Sequence, residues 1–441
     1  MPKPDHPSPV RRHQEPNPRT SLPASRFIAT PPDHPPVAHK LRRRLRLLAM
    51  LAAAGMLLAA CDWPMFQYNL GRTGFNPTES AISAGNVSGL VQRFAAGTPV
   101  TGFPRAYSPP AVANGLVYVG SPDSGLYALD AATGAVRWTA PTVSTGYSPA
   151  VANGIMYVAA GGGLYALDAT SGALRWTAQT SDDPWSSPAV ANGVVYVGTK
   201  VSLDALDATT GALRWTAPTG SMVSSPAVNN GVVYASAGQN LYAFDATTGS
   251  MRWASLVGSG PSSPAVVNGV VYVVSGDLLW AVDAANGLAL WVGRVGNTSA
   301  PAVANGVVYV GGGPLYAFDA TVNANCSDLP GFPTWPFAPK SCEPLWTAPT
   351  LGYALSPAVA NGVVYLSSTS VSPDCNWEWC EIQSAAQAFD ATGNMNCSGT
   401  PKVCAPLWND NIGDAWSPSS PAIANGVVYI PSDRLYAYAL P

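Results

Sequence analysis

Residues 149–176 read PAVANGIMYVAAGGGLYALDATSGALRW, and most of that stretch returns along the chain. Pro-Ala-Val or Pro-Ala-Ile starts a unit at Pro110, Pro149, Pro188, Pro226, Pro264, Pro301, Pro357 and Pro421. Asn-Gly follows each time, from Asn114-Gly115 to Asn425-Gly426, and then an apolar run with one tyrosine, Tyr118 in the first unit and Tyr429 in the last. Asn-Gly between apolar runs is a hairpin signal, because both residues tolerate the positive φ of a type I′ turn. Asp-Ala-Thr-x-Gly makes a second tight connection, with an aspartate to hold the turn and a glycine for its left-handed position. The unit is therefore four short strands, and eight copies predict an all-β, eight-bladed β-propeller of four-stranded blades. The chain ends decide closed ring against open solenoid. Val91 to Ala96 has no third strand before it, and the last unit stops at Leu435 to Leu440 without a fourth. The predicted ring is closed by this N-terminal outer strand pairing with the C-terminal blade, which removes exposed edges.

The composition agrees and narrows the chemistry. The chain has 441 residues with 42 Gly, 42 Pro and only 11% charged residues, too many breakers for long helices. Its net charge of -3 averages a basic first 60 residues with an acidic remainder. An acidic body whose lysines are Lys200, Lys340 and Lys402 lacks a basic stripe for phosphates, so no nucleic acid is expected as partner. All four histidines (His6, His13, His34, His39) precede residue 40. That excludes Ser-His-Asp and Cys-His catalysis, and His-ligated metals, from the body.

The N-terminus reads as an export signal. Lys40 to Arg46 places five positive charges before an apolar run from Leu47 to Ala60, and Cys61 follows. Fourteen residues are short for a membrane span but suit a signal peptide. Leu58-Ala-Ala-Cys61 resembles a bacterial lipobox, which makes Cys61 the lipidation site. The expected divisions are a disordered leader or mis-assigned start (1–39), a lipoprotein signal peptide (40–60), a lipid anchor and opening segment (61–85), and the propeller (86–441).

The recurring Ala-x-Asp-x-x-x-Gly-x-x-x-Trp pattern resembles the tryptophan-docking motif of quinoprotein alcohol dehydrogenases and of pyrroloquinoline-quinone-like (PQQ-like) repeat proteins, the group that includes BamB-like assembly lipoproteins. Asp130 with Trp138, Asp168 with Trp176, Asp207 with Trp215, Asp245 with Trp253, and Asp283 with Trp291 carry the match. The opening Trp63-Pro-Met-Phe-Gln-Tyr-Asn and Arg72-Thr-Gly-Phe-Asn-Pro77 are similar to the segment that precedes such propellers. The resemblance implies that each Trp packs between blades while Asp and Gly shape the turn. Arg137, Arg175, Arg214 and Arg252, each before a Trp, read as solvated outer-strand positions.

Function needs asymmetry, so the broken units are informative. Insertions at 320–344, 367–385 and 391–406 each hold two cysteines, predicting disulfides Cys326 with Cys342, Cys375 with Cys380, and Cys397 with Cys404 in an oxidising compartment. No metal site is expected. The loops on one face of the ring supply the candidate binding residues Arg105, Tyr107, Tyr147, Asp182, Asp183, Trp185, Arg294, Asn297, Tyr353, Asp414 and Trp416, with Asp374, Trp377, Glu378, Trp379 and Glu381 on the middle insertion.

By resemblance, a PQQ-dependent dehydrogenase needs a vicinal disulfide, a calcium held by Glu, Asn and Asp, and a catalytic Asp. No two cysteines are adjacent, and only Glu79, Glu343, Glu378 and Glu381 follow Cys61. The preferred reading is a non-catalytic cell-envelope lipoprotein, a monomeric propeller on the periplasmic or extracellular side that scaffolds other envelope proteins through its loop face. The alternatives are a dehydrogenase with PQQ and calcium, and a propeller that binds a surface polysaccharide through its aromatic side chains.

Overall fold

In the computed structural model the described residues are 61–96, 108–121, 125–141, 143, 145–296, 299–321, 324–328, 339–371, 382–414 and 418–441. The leader, the signal peptide, Cys375 and Cys380 lie outside them. The repeat becomes a four-stranded antiparallel sheet, as in Ala150–Ala152, Ile155–Ala160, Gly163–Asp168 and Leu174–Gln179. Asn153 and Gly154 take φ of 52° and 74°, as a type I′ turn requires. Across each sheet the strands run from the axis to the rim, so Asn-Gly and Asp-Ala-Thr-x-Gly turns share one face. The longer loops share the other.

Eight such blades form a ring. The first strands of successive blades touch in order, and Ala111–Ala113 of blade one also meets Ala422–Ala424 of blade eight. Blade eight takes its outer strand from the N-terminal side: Val91–Ala96 pairs antiparallel with Leu435–Ala439, Ala96 opposite Leu435. The core lies between blades. Tyr157 and Ala166 of blade two, for example, pack with Val195 and Leu206 of blade three. Each Val or Leu so buried contributes about 1.5–3 kcal/mol.

The docking motif is a joint between neighbours. Tyr157 Oη and Trp176 Nε1 both donate to the Ala208 carbonyl of the next blade, at 3.0 and 3.2 Å. Trp138, Trp215 and Trp253 make the equivalent bonds to Ala169, Ala246 and Ala284. The motif glycine has a second duty beyond its turn. A Cβ on Gly211 would stand 2.7 Å from the Trp176 ring. The arginines are solvated, as the sequence reading has it, and are bound as well. Arg175 Nη2 donates to Asp168 Oδ2 at 2.6 Å, and Arg137, Arg214 and Arg252 repeat the pair with Asp130, Asp207 and Asp245. Together with N–H donors of its own turn, the arginine holds the Asp168 carboxyl down at about 2.

Trp291 departs from its relatives. Leu290 replaces the arginine before it, and its indole N–H has no partner among the described residues. Its ring lies fully buried, 6.0 Å from that of Phe318. The first cysteine insertion lies along its strand. Cys326–Asp328 and Lys340–Cys342 form a hairpin closed by the Cys326–Cys342 disulfide, and Lys340–Cys342 pairs parallel with Trp291–Gly293 on the outer edge of blade five. The Cys397–Cys404 hairpin likewise lays Val403 beside Thr347 on the outer strand of blade six. Expected as enlarged turns, both insertions are clips that add strands to the preceding blade.

Candidate functional site

The axis of the ring is filled by the chain's own opening segment. The first strand of a blade is an edge strand whose inward N–H and C=O groups need partners. Trp63 exchanges two bonds with Val112 of blade one, at 2.8 and 2.7 Å. The amides of Val151, Val228, Val266, Val303 and Val359 then donate to the carbonyls of Pro64, Leu70, Gly71, Thr73 and Gly74. Phe75–Asn76 continues parallel to blade seven, and Asn76 Nδ2 donates to Ile423 O of blade eight at 2.8 Å.

Arg72 serves the remaining sector. Its guanidinium is 1% exposed and donates to Ser187 O, Pro188 O and Pro226 O of blades three and four, each at 3.0 Å, and to Phe66 O at 2.7 Å. Burial pushes its pKa down to about 9, so it remains charged at neutral pH among carbonyl dipoles. Every blade thus touches residues 63–76. Sequence reading singled out Arg72 only as part of a segment that precedes the propeller and did not foresee its role in the axis, because nothing periodic marks it.

Of the predicted face, the structure brings Tyr147, Asp183 and Trp185 together. Tyr147 and Trp185 stand at the mouth of a cleft of about 720 Å³ over blades two to five, ring centroids 6.4 Å apart and planes tilted by 58°. Trp185 is 44% exposed, yet its loop is strapped down: its N–H donates to Gly198 O at 2.8 Å, and Lys200 Nζ donates to Asp183 Oδ2 at 2.6 Å. Beneath the loop sits Asp204, fully buried, accepting from Ser181 N at 2.6 Å and from the hydroxyls of Ser181 and Ser202. Six of the other units have an aromatic residue at that position, Tyr127, Tyr165, Tyr242, Trp280, Tyr316 or Tyr436, and blade seven has Gln387. Aligning the units would have exposed Asp204, which the search for insertions passed over.

The remaining candidates are dispersed. Arg294 pairs with Asp277 on blade five, Tyr353 stands exposed beside blade seven, and Asp414 is exposed after that blade's outer strand. Arg105, Tyr107, Asn297, Asp374, Trp377, Glu378, Trp379, Glu381 and Trp416 lie outside the described residues. Cys61 is a free, partly exposed thiol whose Sγ lies 3.4 Å from Thr78 O. It sits on the Asn-Gly face, since neighbouring Asp62 accepts the Asn114 N–H.

A family model described as outer membrane protein assembly factor BamB matches residues 88–293. Solved structures agree with the fold. A quinohemoprotein alcohol dehydrogenase from Comamonas testosteroni superposes with TM-score 0.63 at 14% identity, covering 87% of this chain and 81% of its own. BamB from Moraxella catarrhalis gives 0.58 at 16%, covering 79% and 97%.

This chain is an eight-bladed β-propeller similar to PQQ-like repeat proteins.

The computationally designed Ika8 protein is also similar, with TM-score 0.59 at 12% identity over 78% of this chain and 98% of that one. No curated protein matches. The fold raises the question of PQQ and calcium, and the described residues lining the cleft do not fit them. PQQ carries three carboxylates, whereas the cleft's one cationic side chain, Lys200, is already paired with Asp183. Both described disulfides sit on outer blade edges, away from the axis. Among the described residues no three His, Cys, Asp or Glu groups gather to hold a metal ion.

Proposed function

We propose that this propeller is a non-catalytic, exported lipoprotein, tethered at Cys61, whose loop face binds other proteins of the cell envelope. The supporting observation is the occupied axis: residues 63–76 bond to the inner strands, which leaves the variable loops as the surface the ring offers. Disulfides suit an oxidising compartment. A lipid on Cys61 would leave from the Asn-Gly face, pointing Tyr147, Trp185 and the other long loops away from the membrane. Exposed aromatic side chains on a firmly held loop suit a contact site.

The test is site-specific photocrosslinking in intact envelopes. A photoreactive residue at Trp185 or Tyr353 is expected to capture discrete protein partners, while one at Leu256 on the outer strand captures none of them. Equal patterns from all three positions would refute the scaffold. So would quinone absorbance together with dye reduction after adding PQQ and calcium to the purified protein.

A further inference from the structure

The cleft over blades two to five carries a ligand preference of its own, independent of any protein partner. We infer that it is a binding site for a neutral oligosaccharide. Its volume of about 720 Å³ falls within the usual range for small-molecule sites, about 300–1,000 Å³. Tyr147 and Trp185 supply two tilted aromatic surfaces at its mouth. The backbone that carries each is held before any ligand arrives. The Tyr147 N–H donates to Thr145 Oγ1, which is itself buried and bonded to Ala159 O, and Trp185 is held by Gly198 and by the Lys200–Asp183 strap. A large ring kept exposed on a rigid loop loses little entropy when something stacks on it.

The lining mixes apolar groups, among them Met222 and Pro261, with the neutral hydroxyls of four serines. Ser225 Oγ accepts the Ser187 N–H at 3.0 Å, and Ser263 Oγ accepts the Ser225 N–H at 3.2 Å. Neither hydroxyl donates its own proton to a described group, so both can donate into the cleft. Gly220, Gly238 and Gly260 leave backbone accessible along the wall. The one charged wall residue, Lys200, is neutralised by Asp183. An anionic ligand would find no free cation there, and a purely apolar one would strand the hydroxyls. A pyranose satisfies both constraints, with C–H faces for the aromatic rings and hydroxyls for the serines.

The test is isothermal titration of the full-length protein with cellotriose, maltotriose and chitotriose, and with an acidic trisaccharide. At least one neutral trimer is expected to bind. Trp185→Ala should weaken it about tenfold or more, Trp185→Phe should restore most of the affinity, and Leu256→Ser should change nothing. Near-UV circular dichroism checks that each variant is folded. Binding of no neutral trimer, binding of the acidic sugar alone, or equal affinity in Trp185→Ala and the parent would each overturn the assignment. These outcomes are separable from the scaffold reading, because protein crosslinks from Tyr353 involve no sugar.

Discussion

A glycine of the docking motif answers two demands at once. Gly193 and Gly211 have nearly the same backbone, with φ of +73° and +75°. A Cβ on Gly193 would meet nothing within 4 Å, whereas one on Gly211 would press on Trp176 of the preceding blade. Gly193→Ala should therefore cost only the left-handed backbone penalty, about 1–2 kcal/mol. Gly211→Ala should cost that and the overpacking, a further 1–3 kcal/mol or so. Denaturant unfolding of the two variants reads the difference directly. If both lose the same stability, the indole contact is not what reserves the position for glycine. The Trp side of this joint was legible from its recurrence, but its target in the next blade was not. A repeat announces that a residue is structural without saying which neighbour it touches.

At the scale of elements, the strands were legible because period-two apolar runs and turn residues act locally. Asn153-Gly154 and Asp168 to Gly172 need only their own neighbours to form turns. The cysteine insertions are different, since nothing in Cys326 to Cys342 says which edge it will meet. Its partner, Trp291 to Gly293, belongs to another blade, and the parallel pairing is set by tertiary proximity. Covering that edge protects a long apolar side chain as well as unpaired backbone. Replacing Cys326 and Cys342 by Ser should free the hairpin and remove about 3 kcal/mol of loop-closure stabilisation. Trp291, now fully buried, should become accessible to acrylamide quenching. The other described docking tryptophans should keep their present accessibility, and an unchanged Trp291 would mean that the hairpin stays without its bond.

For the whole molecule, closure operates at two radii. At the rim, Val91–Ala96 completes blade eight, a feature legible from the two incomplete chain ends. At the axis, residues 63–76 bind the inner strands, and this was not legible because the partners are backbone groups with no sequence mark. Arg72 is the strongest point of that inner closure. Four carbonyls from three separate stretches, Phe66, Ser187-Pro188 and Pro226, converge on one guanidinium. Its burial without a carboxylate costs desolvation, which the charge-assisted bonds must exceed. Arg72→Met would leave those buried carbonyls without their donor, and hydrogen bonds to charged groups are worth about 1.5–3 kcal/mol each. Partial relief of the desolvation cost should bring the net loss to about 3–5 kcal/mol. Lysine cannot substitute, because one ammonium lacks the planar fork that reaches blades three and four while still serving Phe66. Arg72→Lys should therefore resemble Arg72→Met in denaturant midpoint, and both should open residues 63–76 to limited proteolysis while the blades stay protected. Full stability and protection in Arg72→Met would show that the inner-strand amides alone hold the segment in the axis.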